Sequence, residues 1–217
     1  MADIRASLVL DTKKAEKNVN KVGTALKALA SAAVAKEILD LSNIFQTLNN
    51  RLLAVTDSEK SYAQAQQDVR DIAQSTRSSL AATGDLYASL TIASEDLGLK
   101  QQQVATITET FSKTLKISGA ETGAAAGAMI QFGQALASGV LRGDEFNSIN
   151  ETNSKFMGEF ASILGVTRGE LRKLAEEGVL TAELMAEATQ IMADDIDTAF
   201  DKTNSTISEA FGQIQNA

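Results

Sequence analysis

Val34-Ala35-Lys36-Glu37-Ile38-Leu39-Asp40-Leu41-Ser42-Asn43-Ile44-Phe45-Gln46-Thr47-Leu48-Asn49-Asn50-Arg51-Leu52-Leu53-Ala54-Val55 is the run that decides the fold class. Val34, Ile38, Leu41, Phe45, Leu48, Leu52 and Val55 recur at alternating steps of four and three, which lines them along one stripe of an α-helix. Upstream, Ala15, Val19, Val22, Leu26, Leu29 and Ala33 repeat the same rhythm. Stripes of this spacing let helices supercoil around a partner. Such seams serve either self-association or packing inside one chain; two of about three heptads ahead of a separate bundle favour self-association, so a homo-oligomer is expected whose interface residues are Val19, Val22, Leu26, Leu29, Ile38, Leu41, Phe45, Leu48 and Leu52. Residues 3–10 alternate apolar and polar side chains and predict one short N-terminal strand.

Composition carries the helical reading across the whole chain. The 217 residues include no Pro, the residue that most reliably interrupts a helix, and 44% are hydrophobic although only 5% are aromatic. A core built from Leu, Ile, Val, Met and Ala suits close helix packing. Absence of both Cys and His removes thiolate and imidazole metal ligands and the common nucleophile and general-base systems, so neither a cofactor nor an enzymatic activity is expected. With 20 basic against 28 acidic residues the net charge is −8, and such a surface repels nucleic acid. The N-terminus has no signal-peptide pattern.

Beyond residue 55 the signals become caps and stops. Thr56 and Glu59 have the spacing of a capping box and predict a helix from there to about Arg77, with Tyr62, Val69, Ile72 and Ala73 inward. Residues 78–83 read as a connection. A helix through Leu86, Leu90 and Ala93 should end at Gly98 in the left-handed conformation, and one through Val104, Ile107, Phe111 and Leu115 should close near Gly119. Gly119, Gly123 and Gly127 recur every fourth residue beside Ala120, Ala124 and Ala128, which predicts a bare helix face for close packing. Residues 122–141 carry no charge but are mostly Ala and Gly with Gln131 and Gln134 inside, so a buried helix is expected rather than a membrane span. Shorter helices follow: 144–151, 155–164, 168–177 and 182–200. Gly143 should end the preceding helix with Asp144 capping the next, Gly165 and Gly178 are stops, and Thr167 with Glu170 forms another capping box. Residues 203–217 read as a further helix with no terminal signal, so the expectation is that the chain continues. The resulting plan is all-α: a possible strand and heptad-patterned coiled-coil-like helices over 1–55, a long-helix bundle over 56–138, and a compact region of short helices over 139–217.

The sequence Gly139-Val140-Leu141-Arg142-Gly143-Asp144-Glu145-Phe146-Asn147-Ser148-Ile149-Asn150-Glu151, then Leu164-Gly165-Val166-Thr167-Arg168-Gly169-Glu170-Leu171-Arg172-Lys173-Leu174-Ala175-Glu176-Glu177-Gly178, then Leu180-Thr181-Ala182-Glu183, resembles the amino-terminal tape measure domain of tailed-phage and prophage tail proteins. The motif positions are Leu141, Gly143, Phe146, Asn147, Ile149, Glu151, Gly165, Val166, Gly169, Leu171, Leu174, Gly178 and Thr181, and the resemblance extends from about residue 35 to 217. One departure stands out: where the family commonly has a Pro, this chain has Thr152-Asn153-Ser154. The resemblance implies a structural protein of the virion tail, made in the host cytoplasm, that sets tail length, organises tail tube assembly and leaves with the genome. Its implied partners are the tail tube protein, tail assembly chaperones, and tail tip or baseplate proteins. A helix rises roughly 1.5 Å per residue, so chain length converts directly to distance.

Two other readings of particular residues are weaker on chemical grounds. Asp194 with Asp195 and Glu176 with Glu177 are neighbours on a helix and point about 100° apart, so they do not converge on a substrate. Arg142-Gly143-Asp144 reads as a turn and cap rather than an adhesive tripeptide. Two alternative functions remain: a membrane-active segment around 122–141 that aids genome delivery, and a stand-alone helical adaptor.

Overall fold

The computed structural model describes Lys36 and residues 42–203, and the chain divides into two compact units, Met1–Phe45 and Gln46–Ala217. In the first unit, Lys36 and residues 42–45 are helical. The second unit holds α1 (46–55), α2 (Glu59–Ser75), α3 (Leu80–Leu97), α4 (Gln101–Ile117), α5 (Thr122–Ser138), α6 (Gly143–Thr152), α7 (Ser154–Ile163), α8 (Arg168–Glu176), α9 (Ala182–Ile191) and α10 (Ala193–Phe200). Every regular element among the described residues is an α-helix. The expected strand over 3–10 and the helix over 203–217 lie, Thr203 apart, outside the described residues.

Helix α2 starts two residues later than Thr56 and Glu59 suggest. The Thr56 hydroxyl donates to the Leu52 carbonyl at 2.7 Å and closes α1 instead. Ser58 takes the cap, its Oγ accepting from the Ser61 amide while Ser61 Oγ accepts from the Ser58 amide, each at 3.1 Å. The connection to α3 is also shorter than expected, since Ser79 caps a helix that already begins at Leu80. Between them Arg77 adopts φ 56°, the one non-glycine residue at positive φ among the described residues.

Helices α3 and α4 are wrapped by their neighbours. Helix α3 buries Leu80, Leu86, Tyr87, Leu90 and Ala93, and packs on α2, α4 and α5. Helix α4 contacts α2, α3, α5, α7, α9 and α10, burying Val104, Ile107, Phe111 and Leu115 together with Thr108, Ser112 and Thr114. Those hydroxyls are compatible with burial because each donates to a carbonyl one turn back, Thr108 to Val104, Ser112 to Thr108 and Thr114 to Phe111, at 2.7–2.8 Å. Phe111 stacks on Phe132 with centroids 3.9 Å apart, and Phe156 meets both edge-on at 5.1 and 5.3 Å. That cluster joins α4, α5 and α7, so helices on both sides of residue 138 share one core.

Candidate functional site

The motif blocks are brought together at the start and end of the short-helix region. Gly139, at φ 85°, stops α5 and turns the chain. The Leu141 amide then donates to the Leu180 carbonyl and the Ala182 amide to the Gly139 carbonyl, both at 2.8 Å, making an isolated antiparallel bridge between Val140 and Thr181. Leu141 and Leu180 beside it are fully buried, and Thr181 caps α9 through the Leu184 amide. Gly143 does not stop a helix as its sequence position suggests: it is the first residue of α6, and Gly139 has already reversed the chain. Phe146 and Ile149 are the buried face of α6, which packs on α5, α7 and α8. Asn147 is half-buried and Glu151 exposed.

Asn153, at the departure from the expected Pro, is completely buried and holds the α6–α7 corner. Its amide donates to the Ile149 carbonyl at 2.7 Å, a bond a proline cannot make. Its Oδ1 accepts from the Phe156 amide at 3.2 Å and lies 3.1 Å from Ser118 Oγ, while Nδ2 donates to Thr114 Oγ1 at 2.8 Å. Ser118 Oγ in turn accepts from the Lys155 amide at 2.9 Å. One side chain thus caps α7 and fastens it to the end of α4.

The second block works through local chain geometry. Gly165 and Gly178, at φ 68° and 69°, end α7 and α8 in the left-handed conformation that glycine adopts without steric cost. Thr167 and Glu170 form the expected capping box: the Thr167 amide donates to Glu170 Oε2 at 2.8 Å and the Glu170 amide to Thr167 Oγ1 at 3.3 Å. The backbone hydrogen bond from Thr167, with a second from its side chain, holds the Glu170 carboxyl below the usual carboxylate range. Leu171 is buried, Val166 and Leu174 are half-buried, and Gly169 lies exposed in the first turn of α8.

An open groove of about 620 Å³ at the α1–α2 turn is lined by residues such as Leu53, Thr56, Tyr62 and Gln66, with no motif residue among them. No group of three or more acidic side chains among the described residues is placed to hold a metal ion, and no helix there is long and apolar enough to cross a membrane.

Of the expected interface residues, Val19, Val22, Leu26, Leu29, Ile38 and Leu41 lie outside the described residues, and Phe45 is half-buried. Leu48 and Leu52 are corrected: at 6% and 0% exposure they belong to the chain's own core, with Leu48 seated on Gly84 so closely that a Cβ there would collide with it. The glycine face is corrected too. Gly119 ends α4 at φ 73°, and Gly123 and Gly127 are exposed with open space where a side chain would stand. Close helix approach occurs at Gly84 and Gly133 instead, the latter leaving only 3.0 Å between a built Cβ and Ser89 Cβ. Lys113 was not singled out by sequence, because its neighbours on α4 give no hint of burial. It is paired at 2.8 Å with both Glu109 and Asp197; burial opposes its charge, yet the hydrogen bonds to these carboxylates lift its pKa above the ordinary lysine value.

No curated protein and no solved structure matches the chain. A family comparison does: residues 36–217 match the tape measure protein family, which takes in every motif position described above. Members of that family are structural components of the phage tail that associate with other tail components, rather than enzymes. With most of its length matched and the motif residues serving as core anchors, caps and stops, this chain belongs to the tape measure protein family.

Proposed function

We propose that this chain acts as a tape measure protein, which sets tail length, organises polymerisation of the tail tube and leaves with the genome. The observation that carries this reading is the family match over residues 36–217. Most motif residues serve the fold as buried anchors, caps or helix stops, which fits a body that presents surfaces to the tail tube protein, assembly chaperones and tip or baseplate proteins. Lengthening or shortening the tape measure gene in helix-coding steps tests the reading. Tail length in electron micrographs should change by up to roughly 1.5 Å per residue; tails of unchanged length would overturn it.

Self-association through the first heptad stripe belongs to the same proposal and is supported by the spacing of Val19, Val22, Leu26 and Leu29. Leu26→Asp with Val22→Asp should lower the mass seen by light scattering without unfolding the α2–α10 core. An unchanged mass refutes the stripe as an interface.

A further inference from the structure

We propose that α10 is a strap, hinged at Met192 and fastened at its far end by Arg77 and Lys113, which opens as a unit in a salt-sensitive transition while the rest of the bundle stays folded. The hinge is visible in the backbone. Met192 closes α9 and opens α10, and α10 has no side-chain cap of its own. With 8 residues, α10 is far too short to hold helical structure without its attachments. Its buried residues are Ile196 and Phe200, while Asp194, Asp195, Asp197 and Thr198 face solvent.

At the other end, cationic contacts add to the burial of Ile196 and Phe200 against the bundle. The Arg77 guanidinium sits 4.8 Å from the centre of the Phe200 ring and donates to Thr203 Oγ1 and to the Thr203 carbonyl, each at 3.3 Å. Lys113 Nζ lies 5.8 Å from the same ring centre and 2.8 Å from Asp197 Oδ1. Arg77 is also the residue held at φ 56°, so the strained backbone position is the one that reaches across to the strap. Release leaves neither side with an unpaired buried charge: Asp197 is already exposed, and Lys113 keeps Glu109 of its own helix at 2.8 Å. The opening is therefore reversible in design, and it turns the chain from 193 to 203 into an extendable segment without disturbing the Phe111–Phe132–Phe156 core.

Hydrogen exchange of the full chain, followed by mass spectrometry at about 0.05 M and about 0.5 M salt, tests this. Amides of 194–203 should exchange at least about 10-fold faster than those of 107–115, and faster again at the higher salt. Arg77→Gly relieves the backbone strain but removes the clamp, so it should accelerate exchange in 194–203 by about 10-fold with no drop in melting temperature. Asp197→Asn should act in the same direction on the same amides. Equal protection of 194–203 and 107–115 in the unaltered protein, or exchange unmoved by both substitutions, would overturn the strap.

Discussion

Helices α3, α4 and α5 run 17–18 residues each, whereas α6 to α10 run only 8–10. The two groups are stabilised differently. Neither α4 nor α5 is capped by the side chain of its N-cap residue, although Gln103 Oε1 accepts from the Lys100 amide at the start of α4, and α3 has only the long 3.5 Å contact at Ser79. What holds them is burial, on several faces at once. Among the short helices, α7, α8 and α9 are each capped by a side chain, from Asn153, Thr167 and Thr181. A helix of two or three turns has too few residues to bury its way to stability, so satisfying its free amides and inserting one or two large anchors matters more. The long helices thus form a core that the short ones borrow through Phe156 and Asn153.

The comparison breaks most visibly at the aromatic cluster that both groups share. Phe132→Ala should cost about 3–5 kcal/mol, because it removes a fully buried ring stacked on Phe111 and touching Phe156. Urea denaturation should then show one cooperative transition shifted to lower urea; loss of only the short helices, with α3 to α5 intact, would mean the two groups do not share a core.

Next comes the α6–α7 corner. Asn153→Ala should cost about 1–3 kcal/mol, since it orphans buried partners on α4 and uncaps α7. Asn153→Pro should cost more, having also lost the amide bond to Ile149. Circular dichroism melts rank the two, and a proline variant as stable as the natural chain would contradict the assigned geometry.

Thr167→Ala should cost about 1 kcal/mol by uncapping α8, whereas loss of the Glu170 carboxylate from the same box should have an effect that depends on pH. The Glu170 carboxyl has its pKa lowered in the folded state, chiefly by the Thr167 backbone bond. Its contribution is therefore complete above the ordinary carboxylate pKa of the unfolded chain and lost as pH falls through the folded value. Melting curves of a Glu170→Ala variant and the natural protein should therefore converge as the buffer is made acidic. A gap independent of pH would remove Glu170 from the box.

The smallest expected effect sharpens the corrected glycine face. Gly127→Ala should stabilise by about 0.5–1 kcal/mol, because the position is helical, exposed and open. Gly133→Ala, tight against Ser89, should forfeit that gain. If both substitutions stabilise equally, the α3–α5 approach is looser than the geometry indicates.

Much of the local architecture was legible in the chain. Gly98, Gly119, Gly165 and Gly178 do stop helices at positive φ, and Thr167–Glu170 is a capping box. Such signals lie within one helical turn and need no distant partner. Where two local solutions compete a few residues apart, the reading failed: Thr56 lost the α2 cap to Ser58, and Gly143 lost the α5 stop to Gly139, whose reversal is pinned by backbone bonds to residues 180–182. The long run expected over 182–200 is broken at Met192 for a reason no periodicity reveals.

By itself, the order of residues determined that this protein is helical, where many of its helices stop, that it carries no Cys- or His-based chemistry, and that its motif blocks resemble those of tape measure proteins. Tertiary structure alone decided which apolar stripe faces inward, that Leu48 rests on Gly84, that Gly133 rather than Gly127 admits a neighbour, and that Asn153, Arg77 and Lys113 hold distant helices together. The division has a physical cause. Periodicity and capping act between residues three or four apart, whereas burial depends on which surface arrives from 30 or more residues away, as Thr114 and Asn153 do from 39.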